Sequence, residues 1–134
     1  MRTSPFDLYT SPNDNFADWV VPNLLNGWTN YGGAYRGAGW MFDELGWVVL
    51  RGLVAQAAVV NGNSVIFNLP NDMRATTKHE IFATVGSADN VYGIHRLDVH
   101  STGNVVFVPR ATGFAVAFIS LSGIRFRPDN ITVL

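Results

Sequence analysis

From Asn26 onward, short apolar runs alternate with clusters of Gly, Asn, Asp and Ser, and no helical period of apolar residues persists for two turns. The runs predict strands at Gly39–Asp43, Trp47–Val54, Ser64–Asn68, His79–Val85, Gly93–Val99, Asn104–Val108, Val116–Ser120 and Ile124–Phe126. Turn signals separate them at Glu44-Leu45-Gly46, Asn61-Gly62-Asn63, Pro70-Asn71-Asp72, Ser87–Asn90, Ser101–Asn104 and Ser122-Gly123. The pattern is clearest in residues 93–108. There Leu97 and Val99 fall on one face, Arg96 and Asp98 on the other, and Ser-Thr-Gly-Asn turns the chain into the next run. Short strands spaced about 10–12 residues apart predict an all-β fold, an antiparallel, jelly-roll-like β-sandwich.

Residues 1–25 read differently. Pro5, Pro12 and Pro22 interrupt any regular element, and Ser4, Thr10, Ser11, Asn13, Asp14 and Asn15 have turn chemistry. Yet Phe6, Leu8, Tyr9, Phe16 and Trp19 are too apolar for a solvated tail. The expectation is an extended docking arm over residues 1–25, whose side chains are covered by another surface, followed by a β-sandwich domain over 26–134. An edge strand folded back on its own domain is the alternative.

Composition adds one strong constraint. Charged residues make up 14% of the 134-residue chain, against about 25% in an average soluble domain. The hydrophobic share is 48% and the mean hydropathy is +0.14. No apolar run approaches the roughly 20 residues of a helical membrane span, so no membrane insertion is expected. Apolar surface without enough charge to cover it predicts burial between subunits, in an oligomer. Residues 105–108 and 114–118 are the candidate seam. Lys+Arg 9 against Asp+Glu 10 leaves a net charge of −1. With no basic run to hold phosphates, nucleic acid is not an expected partner. There is no cysteine, and Met1-Arg2-Thr3-Ser4-Pro5 lacks the apolar core of a secretion signal.

Catalytic and metal chemistry find little support. His95 and His100 are five residues apart, so on one strand they face opposite sides; His79 beside Glu80 is placed no better. All three histidines read as surface or interface groups. Asp43-Glu44 is an adjacent carboxylate pair in a hairpin turn, no serine occupies a G-x-S-x-G elbow, and the glycine cluster YGGAYRGAG lacks the Lys-Ser/Thr of a phosphate loop. Catalytic residues, cofactor and metal are therefore all expected to be absent. The aromatic residues are more informative: Trp19, Trp28, Tyr31, Tyr35, Trp40 and Trp47 lie close together in sequence. Such rings fill cores, anchor protein interfaces or stack on sugar rings. Tyr35 and Tyr92, each near glycine at a predicted strand end, are the candidate glycan-facing pair.

Three segments carry a resemblance. WTNYGGAY at 28–35 leads into a predicted hairpin ending VVLRGLV at 48–54; VIFNLPNDMR follows at 65–74 and FISLSGIRF at 118–126. In that order they resemble a module of minor tail proteins and tail-fibre tip domains of tailed bacteriophages, also used as virion decoration proteins. The resemblance implies a non-enzymatic virion protein made in the host cytoplasm. It implies a trimeric knob docked on major capsid or tail proteins, in some members contacting a host cell-surface glycan. The chain departs from long-fibre members in having no heptad or collagen-like repeat for a shaft. A free-standing carbohydrate-binding module and a small glycan hydrolase are the competing classes; the hydrolase would require polar side chains converging in a pocket.

Overall fold

The computed structural model describes residues 19–70 and 78–128. Among them are ten strands and no helix: β1 (Trp28–Asn30), β2 (Gly39–Phe42), β3 (Val48–Arg51), β4 (Leu53–Gln56), β5 (Ser64–Asn68), β6 (Glu80–Ala88), β7 (Val91–Val99), β8 (Asn104–Val108), β9 (Val116–Ser120) and β10 (Arg125–Phe126). Every pairing is antiparallel. Seven strands form one sheet in the order β1-β4-β9-β6-β7-β8-β5, and three form a second in the order β10-β3-β2. The expected all-β antiparallel architecture is present, as a nearly closed barrel.

Closure comes from the segment before β1. Leu25 donates its backbone N–H to the carbonyl of Ile66 at 2.8 Å, and the Asn26 amide reaches the Val65 carbonyl at 2.9 Å. Both acceptors belong to β5, so one outer edge of the large sheet is hydrogen-bonded rather than open. The indole N–H of Trp28 then bonds Ser64 Oγ at 2.8 Å. Both sheets supply one core: Val48, Leu50, Ile124 and Phe126 from the smaller side meet Trp28, Val54, Phe67, Leu97, Phe107 and Ile119.

The predicted strand Trp47–Val54 is in fact two strands in different sheets. Gly52 separates them with φ +110°, and a Cβ there would stand 2.2 Å from the Gly37 carbonyl oxygen. No side chain fits, so the chain bends at this point and passes from one sheet to the other. Trp28–Asn30, expected as lead-in, is paired with β4. The hairpin β6–β7 is longer than predicted. Its turn is the pair Asp89-Asn90, both at positive φ (53° and 63°), as a two-residue type I′ connection requires.

Two expectations are corrected here. Val105, Val106 and Phe107 are buried within the protomer, as are Phe114 and Val116, so these five positions are not available as a seam, whereas Ala115 and Ala117 are exposed. His95, expected at a surface or interface, is 3% exposed, because strand alternation puts it on the same inward face as Leu97 and Val99.

The last residues of the predicted arm rest on the domain. Val20 exchanges backbone hydrogen bonds with Trp40, at 2.7 and 3.0 Å, extending the small sheet beside β2. The Arg51 guanidinium lies 4.0 Å from the centre of the Trp19 ring. Phe6, Leu8, Tyr9 and Phe16 lie outside the described residues.

Candidate binding face

The strongest candidate is the outer face of the large sheet. It begins in the glycine-rich loop after β1. Gly32 and Gly33 both have positive φ, which lets the chain fold back within a few residues. Tyr35 N–H bonds the Gly32 carbonyl, Tyr31 N–H bonds that of Leu53, and Leu53 N–H bonds that of Arg36. Asn30 pins the far end by accepting the Ala38 N–H at 2.8 Å. The loop is thereby held against β4, with the Tyr31 and Tyr35 rings edge to face at 5.4 Å between centres.

From there an aromatic row runs across the strands. Tyr31 meets Phe118 of β9 at 5.6 Å, and Phe118 meets Tyr92 of β7 at 5.9 Å. Strand register explains the meeting, since Ser87 of β6 stands opposite both Phe118 and Tyr92. The small serine is covered by the two rings and is itself buried. Tyr35 and Tyr92, singled out from sequence, therefore share one surface, with 61% and 76% of their areas exposed. Tyr31 and Phe118 complete the row. Tyr31 stood in the sequence only as one of the aromatic cluster and Phe118 only within the candidate seam, and the pairing of β6 with β9 brings Phe118 to this face.

Beside the row the same face is aliphatic. Ile81, Ala83 and Val85 on β6 and Ile94 on β7 point outward. Val85 stands directly opposite Ile94. The far end of the face is polar and self-contained. Arg96 grips Asp98 through two hydrogen bonds of 2.8 Å, which raises the Arg96 pKa. His100 Nε2 lies 3.7 Å from the same carboxylate and stacks on His79 at 4.1 Å. His79 Nδ1 accepts the Ser101 N–H. The two imidazoles thus meet face to face, a geometry unsuited to converging on one ion, and no cluster of metal-ligating residues occurs among the described residues.

His95 occupies a separate position in the core. Its ring lies 6.2 Å from that of Phe107 and 6.4 Å from that of Phe114, and its Nε2 has no hydrogen-bond partner. Burial lowers its pKa and nearby Arg110 adds to the effect, against a backbone hydrogen bond to Gly86 that raises it. All four tryptophans pack within the protomer: Trp28 in the core against Phe107, Trp40 against that core, Trp47 beneath Arg125 and Trp19 beneath Arg51.

Two open depressions adjoin Gln56 and Val59. One, of about 350 Å³, is bordered by Gln56, Val59, Asp89 and Asn90; the other, of about 310 Å³, by Asn26, Gln56, Asn61 and Asn63. Several of their polar groups serve the backbone. Asp89 Oδ1 accepts the Ala115 N–H, and Gln56 donates to the Asn26 carbonyl while accepting from Ala58. These groups brace loops and do not converge on a common point.

No protein-family model matches the chain, and no curated protein matches it in sequence. Among solved structures, the chain is similar to the head domain of the lactococcal phage bIL170, described in connection with a common fold for the receptor-binding domains of lactococcal phages. The TM-score is 0.55 at 14% sequence identity, and the match covers 77% of this chain and 91% of that one. The protein therefore has the fold of a phage receptor-binding head domain.

Proposed function

We propose that the protein is a non-enzymatic host-attachment knob of a tailed-phage virion. In this reading it is a homotrimer, held on capsid or tail proteins through residues 1–25, and it touches a host cell-surface glycan with Tyr35 and Tyr92. The observation that carries the reading is the exposed row Tyr35–Tyr31–Phe118–Tyr92 on a fold shared with a phage head domain. Exposed tyrosines are well matched to sugars, because the ring face is apolar enough for sugar C–H groups while the hydroxyl exchanges hydrogen bonds with sugar hydroxyls. Fold likeness to a receptor-binding head favours a place at the tail over one on the capsid shell. The apolar residues of the arm, Phe6, Leu8, Tyr9 and Phe16, are the groups for virion docking.

The test is binding of the purified protein to cell-wall polysaccharide of a susceptible host. Tyr35→Ala and Tyr92→Ala should each weaken binding by about 10-fold or more, the scale of an interfacial tyrosine anchor. Undiminished binding by the double variant would refute the assignment of the face.

A further inference from the structure

We propose that Asn61 is a site of spontaneous covalent modification, where the side-chain amide is lost by attack of the Gly62 backbone nitrogen, and that the fold protects the chemically identical pair Asn26-Gly27. Asparagine is a thermolabile residue. It reacts most readily before glycine, whose missing Cβ leaves the backbone free to bring its nitrogen to the side chain. The chain contains two such pairs, Asn26-Gly27 and Asn61-Gly62. Local sequence gives them the same chemistry; the structure separates them.

Asn61, Gly62 and Asn63 are all exposed, in the connection between the Val60–Phe114 bridge and β5. Among the described residues, neither the Asn61 amide nor the Gly62 N–H has a hydrogen-bond partner. Nothing lies within 4 Å of where a Gly62 Cβ would stand, so the Asn61 side chain can swing onto the next nitrogen without breaking a contact. At Asn26 the same motion is opposed. Its amide donates to the Val65 carbonyl at 2.9 Å, and its own carbonyl accepts from Gln56 at 2.8 Å. Gln56 Oε1 also lies 3.0 Å from where a Gly27 Cβ would stand. Reaction there would detach the segment before β1 from β5.

The chemistry at Asn61 needs only water and base. Once base removes the Gly62 amide proton, Gly62 N bonds to Asn61 Cγ and the Cγ–Nδ2 bond breaks. Nδ2 takes up a proton from solvent and leaves as ammonia, and a cyclic imide remains. Water then opens the imide at either carbonyl, giving aspartate or isoaspartate. Each event adds one negative charge to a chain of net charge −1. The new carboxylate stands beside the depression that Asn26, Gln56 and Asn63 also border. The chain thereby acquires charge with age on one side of the barrel, whatever its role in attachment.

The experiment ages the purified full chain in mildly alkaline buffer, once folded and once in concentrated urea. Isoelectric focusing reads the added charge, and peptide mapping by mass spectrometry with isoaspartyl methylation locates it. In the folded chain, acidic species should accumulate with the change at residue 61 and residue 26 intact. In urea both pairs should convert at matching rates. Gly62→Ala, for whose methyl there is room, should suppress the acidic species of the folded chain. An unchanged Asn61 in the folded chain, or conversion at Asn26 that keeps pace with it there, would overturn the proposal. Protection of Asn26 that persists in urea would overturn it too, since the fold would then not be its cause.

Discussion

Trp28 on β1 donates its indole N–H to Ser64 Oγ on β5 at 2.8 Å, joining the two edge strands of the seven-stranded sheet across the barrel's remaining gap. The indole is 3% exposed and packs edge to face on Phe107. This side-chain hydrogen bond, laid over a core contact, adds to the closure that Leu25 and Asn26 make on β5.

Ser64→Ala should preserve the packing while leaving a buried N–H without an acceptor. The expected cost is about 1–3 kcal/mol, read as a lower urea midpoint with an unchanged slope. Trp28→Ala also empties the core and should cost about 3–5 kcal/mol. Equal stability of Ser64→Ala and wild type would show that solvent satisfies the indole.

Gly52→Ala is expected to be among the most damaging single-methyl changes in the chain. The new Cβ would stand 2.2 Å from the Gly37 oxygen and 2.7 Å from the Ala38 Cα, at a φ of +110°. Destabilisation above about 4 kcal/mol, or failure to fold, is expected. Gly93→Ala, which meets nothing within 4 Å, is the control and should stay within roughly 0.5 kcal/mol of wild type. Comparable melting temperatures for the two variants would show that the backbone yields at Gly52.

The buried His95 should couple stability to pH. Its pKa is lowered in the fold from about 6.5 in the unfolded chain, so the unfolded state binds more protons between the two values. Its contribution is therefore fully present above about pH 6.5 and is lost as pH falls through that value toward the folded pKa. Denaturant titrations at pH 7.5, 6 and 5 should show stability falling less steeply with acid in His95→Leu than in wild type. Identical slopes would mean that the imidazole takes up its proton equally in the folded and unfolded states.

The hydrogen bonds of residues 19–25 give a definite boundary for truncation. Removing residues 1–18 should leave a folded domain, because Val20 still pairs with Trp40 and Leu25 with Ile66. Removing residues 1–25 strips both pairings and uncovers Trp40, and the product should melt lower or precipitate. If residues 1–18 dock the virion, the shorter truncation should fold yet fail to join particles. Normal incorporation would remove the docking role.

Local pattern determined much of the fold. Ser64–Asn68, Asn104–Val108 and Val116–Ser120 are strands with the boundaries that the sequence predicts, because apolar runs between turn residues specify a strand without reference to distant partners. Alternation also assigns Leu97 and Val99 to the core, and the same signal assigns His95 there, a reading that a lone histidine's usual exposure obscures. Tertiary structure decided the rest. Gly52 divides a run that reads as one strand, for a reason held by Gly37 and Ala38 rather than by its chain neighbours. Both faces of β6–β7 are apolar in part, so composition does not distinguish the face that fills the barrel from the face left outside. Residues 105–107 look like a seam by composition but are buried by sheet order. Tyr35 and Tyr92 are each legible as exposed rings. Their joining into one row through Tyr31 and Phe118 depends on β9 lying between β4 and β6, a strand order that sets which side chains become neighbours and that no local spacing encodes.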